Sequence, residues 1–136
     1  MSNEREKMRE VFFAAWRKHQ QQLLLEPLEA QLIEIILWHP EYHALLEDPE
    51  NVGQQNFAEA NPFLHLSLHL AIQEQVVTDR PKGIQKIHKK LCEKFGDRHI
   101  AEHHMMECLA DLLWQAQQSG KAPDEQFYLE KLRGLV

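Results

Sequence analysis

Residues 61–77, NPFLHLSLHLAIQEQVV, constrain the fold more than any other part of the chain. Asn61 and Pro62 form a typical helix start, because asparagine caps helices and proline is tolerated at the first helical position. In the two turns that follow, apolar side chains occur on every side of the predicted helix. A helix that is apolar all round is expected to be buried. The segment therefore predicts a central, buried helix.

Two histidines, His65 and His69, lie within this predicted helix. They are four residues apart, so their side chains lie above one another on one face. A buried imidazole needs a partner for its ring nitrogens. Two alternatives remain open for these partners: a bound metal ion, or hydrogen bonds to carboxylates and backbone carbonyls.

The rest of the chain is typical of an all-α protein. Glycine and proline are few, five and six residues, and good helix formers dominate. Apolar stripes and capping residues predict helices over residues 3–20, 27–38, 41–48, 61–77, 84–95, 99–119 and from 125 onward. Because the links are short, we expect an antiparallel bundle of five to six helices. Residues 1–136 are predicted to form a single domain.

Nine histidines are unusual for a chain of 136 residues. A spacing of four occurs three times, in the pairs His39/His43, His65/His69 and His99/His103. Random placement would give about half a pair at any one spacing. Two of the pairs continue to a glutamate after four more residues, Glu47 and Glu107, and the third continues to Gln73. Each pattern predicts a one-sided stripe of nitrogen and oxygen donors along a helix.

Helical bundles build metal sites from such stripes on facing helices. Imidazole and carboxylate donors suit zinc, iron or manganese. We therefore predict a buried transition-metal site, and we expect no nucleotide or organic cofactor. The candidate ligands are His65, His69, His103, Glu107, His43, His39, Glu47 and His99. Trp114 shares the face of Glu107 on its predicted helix, so we expect Glu107 to be buried.

Several classes of function are disfavoured. The net charge of −6 is not typical of a nucleic-acid-binding protein. No apolar run reaches the roughly 18 residues of a membrane span. The charged N-terminus is unlike a signal peptide, and Cys92 and Cys108 are expected to be reduced thiols. These features predict a cytoplasmic protein. Residues 49–60 are predicted to be a polar loop that covers the site.

Six segments carry a resemblance that spans nearly the whole chain: FFAAWRKH, PLEA, HPEYHALLEDPE, NPFLHLSLHLAIQEQ, RPKGI and MECLADLLWQAQ. In these segments the chain resembles a family of small, all-helical bacterial proteins catalogued as a domain of unknown function. The resemblance implies that the histidine-bearing segments are its signature, and it implies no particular reaction. Catalysis, metal sensing and a metal-free protein-interaction role, with histidine and glutamate in core hydrogen-bond networks, all remain open.

Overall fold

A computed structural model describes residues 4–48 and 62–136, and the side chains from residue 7 onward within those ranges. Within these ranges the backbone is helical and forms no strand, which confirms the all-α prediction. The α-helices are α1 (Glu4–Gln20), α2 (Pro27–Leu37), α3 (His43–Glu47), α4 (Pro62–Thr78), α5 (Ile84–Phe95), α6 (Arg98–Ser119) and α7 (Glu125–Leu135). Each of these seven α-helices overlaps one of the segments predicted to be helical, and a bundle of five to six helices stays a prediction. The antiparallel arrangement stays a prediction.

Most helix ends lie where the capping residues predict them. Gly96 ends α5 with a φ of 70°, and Gly120 ends α6 with a φ of 68°, a region that glycine adopts at little cost. Asp97 caps α6 by accepting a 2.7 Å hydrogen bond from the backbone N–H of His99. Asp124 caps α7 in the same way, through the N–H groups of residues 126 and 127.

The segment after α2 differs from the single short helix predicted for residues 41–48. Pro40–Tyr42 forms one turn of 3₁₀ helix, and α3 follows from His43. His39 lies outside both helices, with φ −126° and ψ 71°. The ring of Pro40 causes this, because proline disfavours the α conformation in the residue before it.

Contacts divide the chain into two compact units, Met1–Leu66 and Ser67–Val136. The prediction of one domain over residues 1–136 stays a prediction. In the first unit, α1 packs against α2 and α3. Phe63 of α4 contacts two rings of α1, with centroids 6.0 Å from Phe12 and 5.7 Å from Phe13. The apolar core of this unit comprises Phe12, Ala15, Trp16, Leu32, Ile33, Ile35, Ile36, Leu46, Phe63 and Leu66.

The second unit contains the remainder of α4 and helices α5, α6 and α7, with α6 in contact with both α5 and α7. The phenol of Tyr128 on α7 donates a 2.7 Å hydrogen bond to the side-chain oxygen of Gln75 on α4. The core comprises Ile72, Ile84, Ile87, Leu91, Ala101, Met105, Met106, Cys108, Leu109, Leu112, Tyr128, Leu129 and Leu132. The apolar stripe of α6 thus forms the centre of this unit.

The expectation that α4 is buried on all sides is wrong. Leu64 is 55% exposed and Val77 is 79% exposed, whereas His69 is fully buried. Apolar composition reports what a helix can bury, but the number of neighbouring helices decides which faces are covered. None of the described helices combines the length and apolar composition that a membrane span requires. Asn61 and the predicted covering loop 49–60 lie outside the described residues.

A pair of glycine substitutions tests the helix ends. We expect Gly96→Ala to destabilise the protein by about 1 kcal/mol, because its positive φ strains any residue that has a Cβ. Gly134→Ala is the matched control, since this glycine lies in α7 without a positive φ and has open space around it. The control should be neutral or slightly stabilising. Urea unfolding monitored by circular dichroism measures both, and equal effects would contradict the assignment of Gly96.

Candidate metal centre

Three histidines of the second unit form one cluster, and their side chains come from α4 and α6. His69 projects from α4, and His99 and His103 project from the first two turns of α6. The candidate ligand atoms of the three imidazoles lie within 4.8 Å of one another. The ring centroids are 4.9 Å apart for His69 and His103, and 4.2 Å apart for His99 and His103. We call these three residues the histidine triad.

One contact in the triad joins two Nε2 atoms, those of His69 and His103, at 3.1 Å. The other ring nitrogen of His69, Nδ1, lies 3.1 Å from Oε1 of Glu102. A carboxylate oxygen accepts, so Nδ1 of His69 carries the proton and Nε2 carries the lone pair. The carboxylate therefore fixes the tautomer in which Nε2 faces the other imidazole.

Glu102 is the buried carboxylate of this unit, with 0% exposure. Besides His69, it accepts hydrogen bonds from Nε2 of Gln73 at 3.1 Å and from Nε of Arg98 at 2.9 Å. Burial raises the pKa of the Glu102 carboxyl, and the hydrogen bonds from Gln73 and Arg98 counteract part of this effect. Glu102 thus connects α4 to the start of α6.

The sequence patterns predicted His69, His99 and His103 as neighbours, but they selected the wrong glutamate as the buried one. Glu107 is exposed, and Trp114, which was expected to cover it, is 62% exposed. Glu102 was missed, although it lies among Ala101, Met105 and Met106 on the apolar stripe. That position was the available signal, because a charged residue on such a stripe is buried only with partners.

The remaining candidates lie in the first unit. His39 and His65 contact each other, with Nε2 atoms 3.0 Å apart. His43 donates from Nε2 to the carbonyl oxygen of Ile36 at 3.0 Å, and its ring lies 4.4 Å from that of Trp16. Glu47 is exposed and accepts a 2.8 Å hydrogen bond from the amide of Gln20. His43 and Glu47 thus have hydrogen-bond partners within the first unit.

Comparison with known families assigns nearly the whole chain to one of them. Residues 4–134 match the family described as "Domain of unknown function (DUF1841)". The chain belongs to this family. The match confirms the resemblance to a domain of unknown function, whereas a bacterial origin stays a prediction. It includes all of α2 to α6 and therefore every residue of the triad. No curated protein and no solved structure matches the chain.

The raised pKa of Glu102 predicts a pH-dependent effect of Glu102→Gln in metal-free protein. The unfolded carboxyl loses its proton near pH 4.5, while the native carboxyl retains it to higher pH. Over that interval the native state binds more protons, so the stability of the wild type falls as pH rises. Glutamine has no proton to lose. We therefore expect the wild-type advantage over the variant to shrink as pH rises from below 4.5 toward neutrality.

Urea unfolding of both proteins across this pH range, in the presence of a chelator, measures the difference in free energy. A wild-type advantage that grows with pH would mean a lowered native pKa and would contradict the described environment of Glu102.

Proposed function

We propose that this DUF1841 protein binds a divalent transition metal ion through the imidazoles of His69, His99 and His103. The observation that carries the proposal is the approach of three ligand atoms to within 4.8 Å of one another around a buried histidine. Neutral imidazole is the commonest metal ligand among protein side chains.

The separation of the Nε2 atoms fits coordination. Zinc–nitrogen bonds of about 2.0–2.1 Å at tetrahedral angles place two donor nitrogens about 3.3 Å apart. The Nε2 atoms of His69 and His103 are separated by 3.1 Å. A metal ion would replace the single proton between these nitrogens, with little movement of either ring.

Glu102 supports the proposal because it contacts Nδ1 of His69, the ring nitrogen that would not bind the metal. Metal-bound histidines usually donate their second ring N–H to a carboxylate or a carbonyl, which orients the ring and increases its basicity. Glu102 occupies this position at 3.1 Å from Nδ1. Its negative charge also offsets part of the charge that a divalent ion brings to three neutral imidazoles.

The donor set bears on the choice of metal. A set of imidazole nitrogens suits zinc, iron, copper or nickel, whereas manganese prefers carboxylate oxygens. The triad contributes nitrogen, and Glu102 is engaged by His69, Gln73 and Arg98. We therefore favour zinc or iron over manganese among the three metals that the sequence suggested.

The alternative is a metal-free core network in a protein-interaction domain. It is favoured by the several hydrogen bonds to Glu102, which satisfy a buried carboxylate without any ion. The two functions share every contact described above and differ in their response to a chelator. A cytoplasmic location and the lack of a nucleic-acid partner stay predictions.

Removal of the metal is expected to destabilise the native protein. An ion that binds only the folded state stabilises it by about 2.7 kcal/mol at a hundredfold excess over the dissociation constant. Exhaustive chelation of protein purified without a metal-affinity tag should therefore lower the unfolding midpoint, and added zinc or iron should restore it. His69→Ala should abolish the difference between chelated and metal-loaded protein.

His104→Ala is the matched control for this experiment. His104 is next to the triad in sequence, but its ring stacks on Phe95 with centroids 4.4 Å apart. This variant should keep the full response to chelator. Elemental analysis confirms that the chelator has removed the metal. If chelated and untreated wild type then have the same unfolding midpoint, the metal-binding proposal is wrong and these residues form a metal-free hydrogen-bond network.

A second experiment compares the contributions of Glu102 and Glu107 to zinc affinity. Glu102→Gln should weaken zinc binding by about 10–100-fold, the usual effect of losing a carboxylate behind a ligand histidine. Glu107→Gln is the control, because Glu107 is exposed on the same helix. Competition with a chromophoric chelator measures both affinities. A larger effect for Glu107 than for Glu102 would contradict the proposed centre.

A further inference from the structure

The surface of α5 is strongly basic, although the chain as a whole is acidic. Residues 82–94 contain five lysines and one glutamate, whereas the net charge of the chain is −6. The apolar face of this helix is buried in the second unit through Ile84, Ile87 and Leu91. The five lysines are all exposed, so they concentrate positive charge on the faces that solvent reaches.

A surface cavity of about 330 Å³ is lined by residues of both α5 and α7. Lys86 and Lys90 line it from α5, and Arg133 lines it from the last turn of α7. Ile87, which is 6% exposed, and Gly83 also contribute to its wall. We call this cavity the basic cavity, because its three charged lining residues are all cations.

The spacing of lysines along α5 directs one face of this helix toward α7. Lys86, Lys90 and Lys94 follow one another at intervals of four residues, so their side chains share one face. Lys94 donates from Nζ to the carbonyl oxygen of Leu135 at 2.6 Å, so this face meets the end of α7. Lys94 therefore has an acceptor within the protein.

Lys86 and Lys90 differ from Lys94 in this respect. Among the described residues, no carboxylate forms an ion pair with these two lysines or with Arg133. Like charges four residues apart on a helix repel each other, and a third cation on the neighbouring helix adds to the repulsion. An anion in the basic cavity would reduce this repulsion.

The chemistry of the lining favours a phosphate group. Arginine can bind a phosphate through two parallel N–H donors, and lysine supplies a compact positive charge at the end of a flexible stem. The carboxylate of Asp79 already accepts hydrogen bonds from the backbone N–H groups of Gly83 and Gln85, at 3.1 Å and 3.0 Å. The anion would therefore be held by side chains and not by the start of α5.

The size of the basic cavity favours a small molecule. Sites for small ligands typically have volumes of about 300–1,000 Å³, and the basic cavity lies at the lower end of this range. Ile87 adds an apolar wall, which would contact the carbon skeleton of a phosphate ester. A concave site of this kind suits a small phosphorylated molecule better than the flat surface of an acidic protein.

We propose that the basic cavity binds the phosphate group of a small phosphorylated molecule, with Lys86, Lys90 and Arg133 as the side chains that contact the phosphate. The site shares no residue with the histidine triad. It does not depend on the binding of a metal ion, so the proposal stands or falls independently of the proposed function.

Isothermal titration calorimetry of the full chain with inorganic pyrophosphate and with glycerol 3-phosphate tests the proposal. The protein is first freed of metal, so that phosphate bound to an ion at the triad makes no contribution. The wild type should bind at least one of the two probes, with an affinity that falls as salt is added. Lys90→Gln and Arg133→Gln should each weaken this binding by about tenfold, the effect of losing one hydrogen bond to a charged group.

Lys89→Gln is the matched control. Lys89 is next to Lys90 on the same helix and is also exposed, but it does not line the basic cavity. This variant loses the same charge and should bind the probes as the wild type does. Equal losses of affinity in Lys89→Gln and Lys90→Gln would show only a general attraction of anions to a basic helix, and would overturn the site. Circular dichroism checks the fold of each variant.

Nuclear magnetic resonance spectra locate the bound anion without any variant. The backbone amide signals of Gly83 and Ile87 should be among those that shift most when the tighter-binding probe is added, because these residues line the basic cavity. If the largest shifts occur only at residues outside the cavity, the proposed site is wrong.

The choice of probes also identifies the kind of ligand. Tighter binding of glycerol 3-phosphate indicates a phosphate ester, and tighter binding of pyrophosphate indicates a diphosphate group; either result supports the site if it is weakened in Lys90→Gln. A hexaglutamate peptide represents an acidic protein partner. The proposal is overturned if this peptide binds more tightly than both phosphate probes and loses affinity in Lys90→Gln. The absence of binding by both phosphate probes at low salt would overturn it as well.

Discussion

The second unit depends on the way in which one buried carboxylate is satisfied. Glu102 has no access to solvent, and it accepts hydrogen bonds from side chains on both α4 and α6. An unpaired carboxylate in such a position would cost several kcal/mol, so these donors stabilise the folded state. The same contacts orient His69. One set of hydrogen bonds thus both satisfies a buried carboxylate and orients the imidazole that we propose as a metal ligand.

The ends of the helices could be predicted from residues close to them in the sequence. Gly96, Asp97, Gly120 and Asp124 end or begin helices because their conformational freedom or short acceptor side chains act within one turn. The position of His39 outside a helix likewise follows from Pro40, its neighbour in sequence. Such effects involve few residues, so a single sequence is sufficient to predict them.

Burial of polar side chains was less predictable, because it depends on the other helices. The spacing of four residues brought His99 and His103 onto one face, and it favoured Glu107 as the next residue in the series. The spacing of residues gives the direction in which each side chain leaves its own helix. It does not show which side of that helix is covered by neighbouring helices. Glu102 lies one residue before His103, yet it faces the core while Glu107 faces solvent. Leu64 shows the converse, an apolar residue that no neighbour covers.

The cap at Asp97 has a consequence for motion at the start of α6. The first turn of a helix is where fraying begins, because its N–H groups lack partners within the helix. Arg98 and His99 lie in this turn, and Asp97 holds the N–H of His99. Each local opening of the turn withdraws a donor from Glu102 and an imidazole from the triad together. For an ion bound as proposed, the rate of entry and release would depend on the opening of this single helical turn, and Asp97, which lies outside the triad, would affect how often the turn opens.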